Sequence, residues 1–405
     1  MKFISQNHEN SWNCALKVLQ PTAAELEHGI ELHKNLFAMD HFALPMGMWN
    51  EAYQETWNEL KARNIGQQEL VKRMNPVHYD QCCFNPECAE LFRSSIRATG
   101  LNCMVYTVAE GKGHMADFKR MANQVQLLRT FRDIIAQAGS VEDIKAINAE
   151  GKTAMIWSVN GPPFAGNLES AYDELEWVDV WRRMGVRLMH MSYNRRNLAA
   201  DGCAERANGG LSALGRELVA KLNQAGIIVD VPHTGEQSSI EAAQVSSKPI
   251  MASHTASRAL YDYIRCKSDA ALKAIADTDG LVGVFADAGL LGGSADIVMM
   301  LKHIRYIADL IGVDHVGIGT DGAYIHEWKN PDAISNYPNA EYSGAWWGNW
   351  SEFPYRKSND HHYGSLAWLN WPLFTVGLVK AGFNDGEIEK ILGQNFLRVL
   401  AANQE

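Results

Sequence analysis

Short apolar runs recur along the chain at 36–39, 101–108, 153–159, 186–192, 227–231, 249–252, 281–286 and 315–320. Each is followed by a helix-like segment or a long loop. Their alternation with helices reads as parallel strands joined by crossovers. Eight such units predict an α/β fold of the (β/α)₈, TIM-barrel type. A doubly wound open sheet is the alternative, but no GxGxxG follows any of the runs.

The same reading divides the chain. Thr22 and Glu25 form a capping box that opens a helix through about Asn35, so residues 1–36 are expected to be a helical cap and 37–405 a single barrel domain. Within that domain the segment 330–371 changes character. It carries five tryptophans and several tyrosines over a length that exceeds a plain connection. It is read as a lid over the barrel, a subunit interface, or a surface loop pinned by its aromatics.

Composition narrows the function classes. A formal net charge of −10 with no lysine–arginine block excludes a phosphate-tracking surface, so no nucleic-acid partner is expected. No run approaches the roughly 18 apolar residues of a membrane span, and the first residues lack a signal-like apolar core. The expectation is a cytoplasmic protein with a small-molecule partner. Seven dispersed cysteines do not suggest a disulfide framework, and Cys82, Cys83 and Cys88 lack the paired spacing of a zinc site.

Chemistry is expected where the strands run out, since barrel active sites are built at the C-terminal face. Those positions hold Asp40 or His41, Thr107 and Glu110, Asn160, Tyr193, His233, His254, Asp287 and Asp321. Polar residues are also the norm in loops, so the sharper signal is the stretch 227–265. It holds two apolar runs, each ending in a histidine, with a helix-like segment between them. If the runs are adjacent parallel strands, His233 and His254 emerge at one edge of the sheet and two imidazoles can share a metal ion.

Taken in order, GVRLMHMSYN, GLSALGRELVAKLNQAGIIVDVPH, PIMASHTASRAL, Arg265, HVGIGTD and GQNFLRVL resemble the membrane (renal) dipeptidase family. These are zinc peptidases on a (β/α)₈ barrel of the amidohydrolase superfamily. The resemblance implies hydrolysis of dipeptides, a homodimer, and His233 and His254 as ligands of one of two zinc ions. It implies that Asp321 manages the proton of nucleophile and leaving amine, and that Arg265 clamps the substrate carboxylate.

The first half departs from that pattern. The family's Asp-Gly-His-Asn-Asp at the first strand exit is replaced by Asp40-His41-Phe42-Ala43, which keeps at most His41 as a ligand. The family's metal-bridging glutamate is replaced by Asn160, and its oxyanion-stabilising histidine by Tyr193, whose hydroxyl can still donate. Asn160 and Tyr193 are accordingly read as substrate-binding residues. The expectation is a divergent hydrolase of amide bonds in small carboxylate-bearing substrates, with one zinc ion at most. A metal-independent lyase or isomerase, and a non-catalytic binding protein, are the alternatives.

Overall fold

The computed structural model describes residues 2–44, 51–63, 67–111, 113–164, 170–323 and 364–404. Among these residues ten parallel strands form one sheet: β1 (Met39–Leu44), β2 (Cys103–Ala109), β3 (Ile135–Ala138), β4 (Thr153–Val159), β5 (Val186–His190), β6 (Ile228–Asp230), β7 (Met251–Thr255), β8 (Leu281–Val284), β9 (Val316–Ile318) and β10 (Gly322–Ala323). The order is β10-β1-β2-β4-β5-β6-β7-β8-β9, with β3 paired to β4 outside that path. β10 continues β9 and pairs with β1 at Ala43 and Leu44, which closes the barrel. The expected (β/α)₈ architecture is therefore present.

Alternate strand residues point inward or outward. The inward set near the strand starts includes Met39, Val105, Ile156, Leu188, Ile228, Met251 and Leu281. These pack on Phe396, Val399 and Leu400 of the C-terminal helix Asn395–Gln404. That helix plugs the floor of the barrel. The outward residues join the larger core beneath the helices.

β3 intervenes between helices His114–Thr130 and Val141–Ala149, and Pro76 lies within the helix Gln67–Phe84. One expectation changes. The first strand begins at Met39 and not at 36, so Asp40 and His41 lie within it.

At the N-terminus a helix Gln6–Leu19, not foreseen, precedes the expected one at Ala23–Asn35. The Thr22 capping box is formed: Glu25 N–H donates to Thr22 Oγ1 (3.2 Å) and Thr22 N–H to Glu25 Oε2 (2.7 Å). Of the aromatic segment 330–371, residues 330–363 lie outside the described residues. Trp368 and Trp371 are buried. No described helix is long and apolar enough to cross a membrane.

Candidate active site

β6 and β7 are adjacent and parallel, so the residues after them open on one face. His233 and His254 meet there with Nε2 atoms 3.0 Å apart. Both rings are buried. His233 Nδ1 lies 2.6 Å from Asn194 Oδ1, which also accepts from the Cys203 thiol at 3.3 Å. An acceptor at Nδ1 fixes the proton there and leaves the lone pair on Nε2. His254 Nδ1 lies 2.9 Å from Ser253 Oγ. Each ring is thus held by its second nitrogen while the Nε2 atoms face each other, the arrangement outer partners impose on metal-binding histidines.

The contacts continue inward. Ser253 N–H donates to Asp230 Oδ1 at 2.8 Å, and Asp230 Oδ2 lies 3.1 Å from His190 Nε2. His190 packs beside both histidines, with ring centroids 5.7 Å from His233 and 5.6 Å from His254. It was not among the expected site residues. Its signal was the two-residue period of β5, where Leu188 already points into the barrel.

Charge gathers at the mouth. Burial holds His233 and His254 well below the ordinary imidazole range, and the Arg265 guanidinium lowers both further. Both rings are therefore neutral at pH 7. Arg265 is buried, with Nη1 on the Pro232 carbonyl, Nη2 3.4 Å from the His254 carbonyl and 3.2 Å from His233 Nε2. Asp321 follows β9 in the left-handed conformation (φ 50°), and its N–H donates to the Phe42 carbonyl at 2.9 Å. A non-glycine residue there is uncommon, and Asp tolerates it better than most. Desolvation pushes its carboxyl up to about 7, with Asp287 and Asp40 adding to the rise against Arg265.

Tyr193 stacks on His233 at 4.0 Å with planes 22° apart. Burial, then Glu110 and Asp321, raise its phenol well above the ordinary range, so it stays a neutral donor. It therefore shares the mouth with Arg265, Asp321 and the histidine pair.

The β1–β4 side is organised differently. A one-residue bulge between Asp40 and Ala43 shifts β1 against β2. Phe42 stacks on His254 at 4.0 Å, and Ala43 offers no donor side chain. His41 lies 5.5 Å from Phe396, close enough over Gly317 that a Cβ there would stand 1.9 Å from the ring. It shares no ring contact with His233 or His254 among the described residues. Asp40 accepts from Thr320 N–H (2.8 Å), Thr320 Oγ1 (2.6 Å), Phe42 N–H (3.1 Å) and the Trp368 indole (2.9 Å). It ties the first strand to the last.

Asn160 is committed too. Its Oδ1 accepts from Thr107 Oγ1 at 3.0 Å and its Nδ2 donates to Glu110 Oε2 at 3.0 Å, while Glu110 pairs with Arg120. A carboxylate thus stands at the exit of β2, beside the amide that ends β4.

A family model described as membrane dipeptidase (peptidase family M19) matches residues 31–339. Dipeptidase tcpJ of Claviceps purpurea is 25% identical over 298 residues, covering 71% of this chain and 60% of that protein. Dipeptidase aclJ of Aspergillus oryzae is 29% identical over 228 residues, 53% of this chain and 51% of that one. The chain thus spans between half and two thirds of these curated relatives. A solved amidohydrolase from Pseudomonas aeruginosa superposes with a TM-score of 0.67 at 26% identity, covering 93% of this chain and 98% of that one.

Proposed function

The chain belongs to the membrane dipeptidase family, and from that premise we propose that it hydrolyses an amide bond in a small, carboxylate-bearing substrate at the barrel mouth. The observation that carries this is the gathering of His233, His254, Tyr193, Arg265 and Asp321 on one face, with the two Nε2 atoms 3.0 Å apart.

Among the described residues the donors do not fit two metal ions. Ala43 has no ligand atom, Phe42 covers His254, and both polar atoms of Asn160 are occupied by Thr107 and Glu110. They do fit one. Two nitrogens each about 2.0–2.1 Å from a tetrahedral ion lie roughly 3.3 Å apart, close to the separation of this pair. His233 and His254 would hold a single zinc ion, which when bound polarises a carbonyl and acidifies water. His41, set on Phe396, is not needed for this assignment.

The chain's own residues divide the remaining work. Asp321, poised to exchange a proton near neutral pH, takes the proton of the attacking water and returns it to the departing amine. Tyr193 donates its hydroxyl to the carbonyl oxygen as charge develops there. Arg265 receives the substrate carboxylate, a planar fork meeting a planar anion. Asn160 and Glu110, bonded to each other, stand at the exits of β4 and β2.

A panel of dipeptides and N-acyl amino acids, assayed for released amine before and after chelation, tests this reading. Turnover that falls on chelation and returns with zinc is expected, together with a KM raised by Arg265→Ala for carboxylate substrates only. Absence of turnover across the panel would contradict it. A lyase or isomerase using the same groups without metal is the second reading. It is favoured by the Arg265 cation lying against His233, and chelator-insensitive activity would point to it.

A further inference from the structure

One contact in the mouth is at odds with the use of the histidine pair as a metal site. The lone pair of His233 Nε2 faces Arg265 Nη2 at 3.2 Å as well as His254 Nε2 at 3.0 Å. The proton is fixed on the far nitrogen by Asn194, so Nε2 is an acceptor and the guanidinium N–H is oriented to use it. An ion coordinated by this nitrogen at about 2.0–2.1 Å would lie within roughly 4 Å of Nη2. A divalent cation and a guanidinium cannot share that space in a buried site, because their repulsion is little screened there.

The guanidinium is also incompletely held where it is. Nη1 bonds the Pro232 carbonyl, and Nη2 reaches the His254 carbonyl only at 3.4 Å. Nε is buried and has no hydrogen-bond partner among the described residues. A buried cation with an unused donor gains from a position in which the whole fork is used, such as one against a carboxylate in the mouth. Arg265 therefore has reason both to occupy the metal position and to leave it.

We propose that the Arg265 guanidinium competes with the metal ion for His233 Nε2, which makes Arg265 a determinant of metal affinity in addition to its place in substrate binding. The inference rests on the single-ion reading above. Arg265 acts as a built-in rival of the ion, and zinc is retained only when the side chain withdraws.

The test is zinc affinity, read by competition with a chromophoric chelator, for the parent protein, Arg265→Met, Arg265→Ala and the double variant Arg265→Met/His233→Ala. Methionine keeps the length of the side chain without its charge. Melting curves without zinc select the variants that remain folded. Both single variants are expected to bind zinc about tenfold more tightly or better, within the range of ordinary site–site coupling. The double variant is expected to lose that gain. A purely structural role for Arg265 would weaken the site and not tighten it. Zinc binding by the parent protein with no gain in either single variant overturns the competition and leaves the single-ion reading intact. No zinc binding by any of the proteins overturns both.

Discussion

The two sides of the barrel mouth have been put to different uses. On the β6–β7 side the polar groups are held from behind and present their working atoms to the mouth: Asn194 and Ser253 orient the histidines. On the β1–β4 side the polar groups are consumed by one another, with Asp40 bound to Thr320 and Trp368, and Asn160 bound to Thr107 and Glu110. The chemical type of a residue is the same in both settings. What separates the two sides is what takes the last donor or acceptor: on the β1–β4 side a fixed neighbour, on the β6–β7 side the Arg265 guanidinium, whose Nε has no partner among the described residues.

The contrast is broken most forcefully by exchanging a group on each side. Asp321→Asn, on the available side, should lower kcat by about 10³-fold, in the range expected of a general base. As a base with its acid form favoured up to about 7, Asp321 should make activity rise with pH through that region, and the variant should lose this rise. A kcat within tenfold of the parent would remove Asp321 from the proton's path. Asp40→Ala, on the consumed side, should instead cost stability, about 3 kcal/mol by urea unfolding, because it strands buried donors on Phe42, Thr320 and Trp368.

Asp40 also carries a pH signature. Burial raises its carboxyl to about 6, outweighing the bonds that lower it. A folded-state value above the unfolded one means that its contribution is fully present at pH below about 4 and is lost as pH rises to about 6, by about 3 kcal/mol. Asp40→Asn should flatten that part of the stability profile, and an unaltered slope would contradict the assignment.

Two smaller effects sharpen the boundary between the sides. Tyr193→Phe keeps the stack on His233 and removes only the hydroxyl, and should lower kcat about 10²-fold with KM little changed. An equal change in KM alone would make Tyr193 a binding residue. Asn160→Glu restores the carboxylate type but sets it against Glu110, and should destabilise the fold by about 1 kcal/mol without adding a second zinc equivalent. A second equivalent on metal analysis would mean that the β1–β4 side remains open to an ion.

Most of the fold was legible because its signals are local. Apolar runs and the Thr22–Glu25 box act within a few residues. What escaped depended on distant partners. β3 is only four residues long and is held by pairing to β4. The β1 bulge, which brings Phe42 onto His254, has no sequence mark of its own.

The site divided along the same line. His233 and His254 could be paired from sequence because adjacent parallel strands fix their relation. His190 required the inward period of β5 to be followed one position further. The commitment of Asn160 to Glu110 joins residues 50 apart, and the position of the Arg265 guanidinium depends on the carbonyls of Pro232 and His254. Neither has a local signal.

The central claim is that, among the described residues, the β6–β7 side alone can hold an ion. Zinc per chain, measured by mass spectrometry after loading and exhaustive buffer exchange, tests it most directly in the parent protein and in His233→Ala. About one equivalent in the parent, abolished in the variant, is the predicted result. Two equivalents, or one that survives the loss of His233, would contradict it.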